Sequence, residues 1–206
     1  MTLRRVTLLR HGQTEFNAGH RMQGHLDTML TDEGRAQAAA AAPLLAGARF
    51  DRIITSDLTR AYDTASAVAE ATGLPLSVDK RLRETHLGSW QGRTVAEIEV
   101  EQPGAIAAWR SDPRWTPPGG ESRVDVVKRA LPVVEELDAE YADDPEYRSV
   151  LLVAHGGMIA GMVCGLLALP ESAWPVIGGM GNAKWAIVAR RDDHPRWRLS
   201  GYNIGA

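Results

Sequence analysis

The chain has 206 residues, of which 44% are hydrophobic and 24% charged, and its formal net charge is −3. These values are typical of one soluble domain with a substantial core, and the mild acidity argues against nucleic acid or an anionic membrane surface as the partner, because both would select a basic face. The first residues lack the apolar stretch of a signal peptide, and the single cysteine excludes an intramolecular disulfide, so we expect a cytoplasmic protein.

Apolar runs and helical patterns alternate along the first eighty residues. Thr31 is a suitable N-cap for an alanine-rich helix, since acidic residues follow it in the first turn. Ser56 and Asp57 are expected to cap a second helix, and Gly73 is expected to end it. In chain order the predicted elements are a strand at 5–9, a helix at 31–45, a strand at 50–55, a helix at 56–72 and a strand at 76–78.

The middle of the chain is irregular, and regular elements return after it. Two short helical pieces are expected within 94–109, because Pro103-Gly104 separates them, and the segment 114–120 predicts a loop. We interpret residues 83–120 as a small cap-like insertion in a single domain of residues 1–206. The remaining predicted elements are an amphipathic helix from 122 that contains Pro132, a strand at 149–154, a buried helix at 157–169, and a hairpin of strands at 185–189 and 197–199 joined by a charged turn.

The predicted strands are continuous apolar runs that do not alternate with polar residues. Strands of this kind are buried on both faces, as in parallel sheets covered by helices. The expected fold class is therefore α/β, with three α/β/α layers around a mostly parallel sheet.

Two segments have the same order of a strand, a histidine and a glycine. They place His11-Gly12 and His155-Gly156 at the carboxyl ends of parallel strands, where the ligand crevices of such sheets form. The glycine lets a ligand approach the backbone and lets the chain turn sharply. A single histidine after a strand is more often structural, whereas two in the same context, one of them beside an arginine, indicate a functional site.

Arginine and glutamate side chains are predicted to lie at the same edge of the sheet. Arg10 precedes His11, and Arg60 lies in the first turn after the second strand. Guanidinium groups donate two parallel hydrogen bonds to phosphate, and Glu84, after the third strand, is a candidate proton donor to a leaving alkoxide. A metal bound by the two histidines is disfavoured, because the flanking arginine would repel the cation and no cluster of spaced ligands accompanies them.

Motifs that occur in order along nearly the whole chain resemble those of the histidine phosphatase superfamily, in its phosphoglycerate mutase-like branch. They are Leu9-Arg10-His11-Gly12-Gln13-Thr14-Glu15-Phe16-Asn17, residues 56–61 around Arg60, residues 83–92 around Glu84, and residues 153–157 around His155. The resemblance implies a phosphoglycerate mutase-like fold and a phosphohistidine mechanism without metal or cofactor. It also allows a homodimer.

The resemblance implies a role for each matching residue. His11 is the nucleophile, and Arg10, Arg60 and His155 hold the phosphoryl oxygens. Glu84 protonates the leaving oxygen and then serves as the base for water. Asn17 matches a phosphate contact of the superfamily and Gln23 matches a frequent pocket residue.

The superfamily includes mutases as well as phosphatases. Cofactor-dependent mutases are usually longer and continue with a polar sequence after the second histidine, where this chain has Gly157-Met158-Ile159. Both differences favour hydrolysis. The alternatives within this class are a phosphoglycerate mutase, a phosphatase of phosphoglycerate or of alpha-ribazole phosphate, and a broad-specificity phosphatase. Outside it, the alternative is an inactive module that binds phosphorylated metabolites, which the complete set of catalytic residues disfavours.

Further segments are similar to a narrower actinobacterial group of phosphatases that act on a sugar-linked phosphoglycerate. They are residues 22–28, 82–88, 119–125 and 178–183. This similarity implies that the partner is a small phosphorylated metabolite with a sugar and a carboxylate. The expected substrate contacts around the mouth are Arg21, Gly24, His25, Gly156 and the loop 178–182.

Overall fold

A computed structural model describes residues 3–191 and 196–205 of the chain. Within them, six strands form one sheet in the order β3-β2-β4-β1-β5-β6. The strands are β1 (Leu3–Arg10), β2 (Arg52–Thr55), β3 (Leu76–Val78), β4 (Arg148–Ala154), β5 (Trp185–Arg190) and β6 (Trp197–Ile204).

The sheet is mostly parallel, as predicted. Strands β3, β2, β4 and β1 run parallel, while β5 is antiparallel to β1 and β6 to β5. The predicted final hairpin is therefore confirmed, although residues 192–195 of its charged turn, among them His194, lie outside the described residues. Arg10 at the end of β1 is in register with Ala154 at the end of β4, so the residues that follow these two strands are neighbours.

Helices connect the strands largely where the sequence predicts them. Thr31 caps the alanine-rich helix through the amide of Gly34, and Gly73 ends the next one in the left-handed conformation with a φ of 72°. A short helix after His11 was not predicted; Thr14 and Asn17 form its capping box. The helices are α1 (Glu15–Ala18), α2 (Asp32–Ala46), α3 (Thr59–Thr72), α4 (Val95–Glu101), α5 (Ala105–Ser111), α6 (Arg123–Glu140) and α7 (Gly156–Leu166).

Helices cover both faces of the sheet, which confirms the three-layer α/β/α architecture. One core contains side chains of α6 and α7 together with Leu8 of β1, and the other contains side chains of α2 and α3 together with Leu9. Consecutive residues of a strand point to opposite faces, so both of these leucines are fully buried. This arrangement explains why the strands are apolar at successive positions.

The start of α3 differs from the sequence prediction that Ser56 and Asp57 cap it. The N-cap residue is Leu58, and its side chain makes no capping hydrogen bond. The acceptor for the first turn is Asp27, whose carboxylate binds the backbone N–H of Thr59 at 2.7 Å and its hydroxyl at 2.8 Å. The prediction was wrong because a loop distant in sequence supplies the cap.

Residues 83–120 contain α4 and α5 and pack around a hydrophobic cluster of their own. Trp90 is fully buried at its centre, with Trp115 stacked at 5.1 Å between ring centroids and Trp109 edge-on at 5.9 Å. This separate cluster supports the proposal of a cap-like insertion. In the described part of the chain, no helix combines the length and apolar character needed to cross a membrane.

Candidate active site

His11 and His155 meet at the carboxyl edge of the sheet, because they follow the adjacent parallel strands β1 and β4. The backbone N–H of His11 donates to the carbonyl of Ala154 at 3.0 Å, and the centroids of the two imidazole rings are 5.2 Å apart. Both side chains are buried, with exposed fractions of 3% and 0%. The structure therefore brings together the two histidines that the sequence singled out.

The imidazole of His11 is oriented by its own backbone. Nδ1 lies 2.6 Å from the carbonyl oxygen of Gly12, so an Nδ1–H group donates there and Nε2 keeps its lone pair. Burial lowers the pKa of His11 well below its ordinary value, and the charges of Arg60 and Arg10 lower this pKa further. The side chain is thus a neutral imidazole whose Nε2 can act as a nucleophile.

His155 is oriented by Ser56, at the end of β2. Nε2 of His155 lies 2.9 Å from the Ser56 hydroxyl oxygen. The same oxygen accepts the backbone N–H of Leu58 at 3.4 Å, and we assign its hydroxyl hydrogen to Nε2, which leaves the ring proton on Nδ1. Nδ1 is buried and has no partner among the described residues. An N–H there is a donor that lacks an acceptor.

Two arginines lie beside the histidines, Arg60 fully buried and Arg10 partly buried, and neither forms an ion pair with a carboxylate of the described residues. Arg60 has no exposed surface; its Nη1 and Nη2 donate to the carbonyls of Leu26 and Gly24 at 2.7 and 2.8 Å. Arg10 donates from Nη1 to the carbonyl of Met180. The Nε atoms of both arginines are buried and unpartnered within the described residues, and burial lowers both pKa values, that of Arg60 to about 10. Buried guanidinium groups with free donors call for an anion.

The carboxylate of Glu84 is fixed at the amino end of α7. Oε1 accepts the backbone N–H groups of Thr85 and Met158 at 2.8 and 2.9 Å, and Oε2 accepts that of Gly157 at 2.9 Å. A helix N-terminus favours an acidic group, because its first amides have no partner within the helix. Glu84 is therefore held beside the arginines in one orientation.

The backbone that carries Glu84 is held from behind by Arg129 of α6. Arg129 donates from Nη1 to the carbonyls of Arg81 and Arg83 at 2.7 and 2.9 Å, and from Nη2 to that of Glu84 at 2.7 Å. Its remaining donors bind the two carboxylate oxygens of Glu121 at 2.9 and 3.0 Å. All five N–H donors of Arg129 are thus used, three of them on the carbonyls of this loop.

A cavity of about 200 Å³ opens between these groups. Asn17 and Gln23 line it, and in each the acceptor oxygen is already occupied. Oδ1 of Asn17 accepts the N–H of Thr14 at 3.1 Å, while Oε1 of Gln23 accepts the hydroxyls of Thr14 and Thr28 at 2.9 and 2.6 Å. Neither NH₂ group donates to another of the described residues, so each can donate to an anion. The lining residues that the sequence predicted are Arg10, His11, Asn17, Arg21, Gln23, Gly24, Arg60 and Glu84.

Two predicted substrate contacts, Arg21 and His25, have hydrogen-bond partners within the protein. Arg21 reaches the cavity wall, but its Nη1 donates to the carbonyl of Gly92 at 2.8 Å and to Glu97 at 3.2 Å. His25 is not among the lining residues; its Nε2 lies 2.7 Å from the carbonyl oxygen of Glu84. His25 thus contacts the backbone of the glutamate rather than the cavity.

Three glycines of the predicted site have different structural roles. A Cβ on Gly12 would lie 2.3 Å from the carbonyl oxygen of Gly34 in α2, so this glycine permits contact between two backbone segments. Gly24 supplies the carbonyl that holds Arg60 and has a φ of 54°. Gly156 lines an adjoining cavity rather than the inner one. The close approach at Gly12 is therefore to the protein itself, not to a ligand as the sequence reasoning assumed.

A second cavity, of about 520 Å³, adjoins the first, and we call it the outer cavity. The two share Arg10, Glu84, Thr85, Trp109 and Gly157. The outer cavity is also lined by Arg110 and Arg123, neither of which was predicted from the sequence. The only signal in the sequence was a segment rich in Trp and Arg between 109 and 123, and this does not tell which side chains face the site. Among the described residues, no group of three or more His, Cys, Asp or Glu side chains is arranged to hold a metal ion.

Comparison with known proteins supplies the family. A model of the histidine phosphatase superfamily (branch 1) matches residues 6–204. The chain is 54% identical over 218 residues to a glucosyl-3-phosphoglycerate phosphatase of Mycolicibacterium vanbaalenii. It is 52% identical over 217 residues to a glucosyl-3-phosphoglycerate phosphatase of Mycobacterium tuberculosis. Both alignments cover 100% of this chain and 97% of the relative. A solved structure of the mycobacterial enzyme, in complex with VO₃, has a TM-score of 0.92 and 53% identity, covering 98% of this chain and 100% of that one.

Proposed function

Because the chain belongs to the histidine phosphatase superfamily (branch 1), we propose that it is a phosphatase that hydrolyses glucosyl-3-phosphoglycerate to glucosylglycerate and inorganic phosphate. The observation that carries this proposal is the pair of arginines beside His11, each of which has a buried, unpartnered Nε and no ion-paired carboxylate among the described residues. A phosphate group supplies the anion that Arg10 and Arg60 call for, and it places the phosphorus next to the nucleophile.

The first step transfers the phosphoryl group to His11. Nε2 attacks the phosphorus in line with the departing oxygen, so a P–N bond forms while the P–O bond to the glycerate carbon chain breaks. Arg10, Arg60 and the Nδ1–H of His155 stabilise the charge on the phosphoryl oxygens. Glu84 donates a proton to the leaving oxygen, which departs as the alcohol.

The second step returns His11 to its starting state. Glu84, now a carboxylate, removes a proton from a water molecule whose oxygen attacks the phosphorus. The P–N bond breaks, its electron pair returns to Nε2, and inorganic phosphate leaves. Glu84 regains its proton in this step, so the cycle consumes one water and balances. No step draws on a metal, and we expect the activity to persist in the presence of a chelator.

The proposal is tested by assaying purified protein against a panel of phosphate esters with a chelator present. The panel contains glucosyl-3-phosphoglycerate, 3-phosphoglycerate, alpha-ribazole phosphate and p-nitrophenyl phosphate. We expect the highest kcat/KM for glucosyl-3-phosphoglycerate. Equal kcat/KM values for all four substrates would instead indicate a broad-specificity phosphatase. Isomerisation of phosphoglycerate without phosphate release would indicate a mutase. Binding of phosphate esters without turnover would indicate an inactive module.

The location and assembly of the protein are part of the same proposal. We place the reaction in the cytoplasm, where a phosphorylated sugar intermediate would be found, and we take a homodimer as the working assembly. Cell fractionation and light scattering of the purified protein test these two statements separately.

A further inference from the structure

The outer cavity begins where the inner cavity ends, and Glu84 lies at the boundary between them. The inner cavity, of about 200 Å³, is smaller than the about 300 to 1,000 Å³ that is usual for the sites of larger ligands. Glu84 is the proposed donor to the leaving oxygen. The remainder of the leaving alcohol must therefore extend past Glu84 into the outer cavity.

Arg123, the first residue of α6, presents free donors to this cavity. Its Nη2 donates to the backbone carbonyls of Trp109 and Arg110, the latter at 2.9 Å, which fixes one end of the guanidinium group. The guanidinium carbon lies 5.5 Å from the Trp109 ring centroid. Among the described residues, Nε and Nη1 of Arg123 have no hydrogen-bond partner, and Arg123 forms no ion pair with a carboxylate. A half-buried planar cation is thus held with its other edge unpaired.

Trp109 contributes a second unused donor. It lines both cavities, and its Nε1 is buried without a hydrogen-bond partner in the described part of the chain. Its ring packs edge-on against Trp90, with 5.9 Å between centroids and 81° between planes, so the indole has a fixed direction. A buried N–H without an acceptor is costly unless a ligand supplies one.

We propose that the outer cavity is the binding site for a leaving group that carries a carboxylate. Arg123 recognises this carboxylate, and Trp109 Nε1 donates a hydrogen bond to a hydroxyl of the same leaving group. The inference rests on the proposed function and deepens it. A guanidinium group matches a carboxylate because two parallel N–H donors face its two oxygens. The only acidic residue among the described lining residues is Glu84, which the amides of α7 hold on the inner side.

The test compares three substrates that share a phosphate ester and differ in the leaving group. They are glucosyl-3-phosphoglycerate, its analogue in which the carboxylate is replaced by a primary alcohol, and p-nitrophenyl phosphate. For Arg123→Met we expect kcat/KM of the carboxylate substrate to fall about 10- to 100-fold, the range of a lost charge-assisted hydrogen bond or pair of bonds. The alcohol analogue and p-nitrophenyl phosphate should change by less than about threefold.

Two further variants and a control keep this test independent of folding. Arg123→Lys retains the charge but not the planar pair of donors, so a smaller loss, confined to the carboxylate substrate, is expected. Trp109→Phe keeps an aromatic ring at this position, although a smaller one, and removes Nε1–H; it should raise KM for both sugar substrates about three- to tenfold while sparing p-nitrophenyl phosphate. Arg114→Met is the matched control, because Arg114 pairs with Glu171 at 2.6 Å outside both cavities; it should leave all three substrates unaffected.

The inference is overturned if Arg123→Met and Arg123→Lys lower kcat/KM equally for the carboxylate substrate and the alcohol analogue, or lower it for neither. It is also overturned if both variants lose p-nitrophenyl phosphate in parallel, since Arg123 would then support the fold of the site. Failure of the proposed function has a different signature: wild-type protein would hydrolyse p-nitrophenyl phosphate but not glucosyl-3-phosphoglycerate.

Discussion

Gly157→Ala should displace the catalytic carboxylate while leaving the fold intact. A Cβ on Gly157 would lie 2.7 Å from Oε1 of Glu84, 3.3 Å from Cδ and 3.4 Å from Oε2. Ordinary contact begins at 3.4 Å, so Oε1 must move away by about 0.7 Å. That movement opposes the 2.9 Å hydrogen bond from Met158, which fixes the oxygen. The glutamate cannot both keep its amide partners and accept the new methyl group.

The rate effect follows from this displacement. A misplacement of about 1 Å in a catalytic group can cost about 100-fold, so we expect kcat/KM for glucosyl-3-phosphoglycerate to fall about 10- to 100-fold. p-Nitrophenyl phosphate should lose much less, because its leaving group is stable as an anion and needs little help from an acid. Stability should not fall, since replacing glycine by alanine within a helix favours the helix by up to about 1 kcal/mol.

The assay measures kcat/KM for both substrates together with the melting temperature, and Gly156→Ala is the comparison. Its Cβ would lie 3.4 Å from Nε and 3.5 Å from Cδ of Arg10, at ordinary contact distance, so a loss of only a few-fold is expected there. The predicted displacement of Glu84 is refuted if Gly157→Ala is as active as Gly156→Ala towards glucosyl-3-phosphoglycerate. Equal losses on both substrates, or a lowered melting temperature, would also contradict it.

Three further predictions follow from the geometry. Glu84→Gln should lower kcat/KM for glucosyl-3-phosphoglycerate by about 10²- to 10⁴-fold, because the amide cannot transfer the proton; retained activity would remove Glu84 from the mechanism. Arg129→Met should lower kcat about tenfold at nearly constant KM and should also lower the melting temperature. Both effects are expected because three loop carbonyls and Glu121 lose their hydrogen-bond partner. A fall in melting temperature with unchanged kcat would make Arg129 purely structural. The unfolding free energy, measured by urea titration, should decrease as pH falls below about 6.5. The reason is that His11 and His155 have pKa values lowered in the folded state, so the unfolded chain binds more protons in that range. His155→Gln should weaken this dependence, and an unfolding free energy that does not change with pH would contradict the buried neutral imidazoles.

The pairing of His11 with His155 could be predicted from the sequence, because it depends on local rules. Each histidine follows an apolar run, and the carboxyl ends of parallel strands meet at one edge of a sheet. Arg60 was found in the same way, as a first-turn residue of the helix after β2. For these positions the alternation of strands and helices predicts a parallel sheet, and the residues that follow its strands lie at its carboxyl edge.

Contacts between distant loops could not be predicted. Asp27 caps α3 from another loop, and Arg129 of α6 holds three carbonyls of residues 81–84, which no local pattern indicates. Trp109 of α5 and Arg123 of α6 both line the outer cavity, although they lie on different helices. His25 shows the converse: it follows Gln23 and Gly24 closely in sequence, yet its ring is directed at the backbone of Glu84.

The central claim is that His11 carries the phosphoryl group between the two steps. Its most direct test is to mix the protein with substrate labelled in the phosphate, stop the reaction within the first turnover, and locate the label by peptide mass spectrometry. We predict a phosphoryl group on His11 that is lost in acid and stable in base, and that is absent from His11→Ala. A label that persists in His11→Ala would contradict the account, as would full activity of that variant.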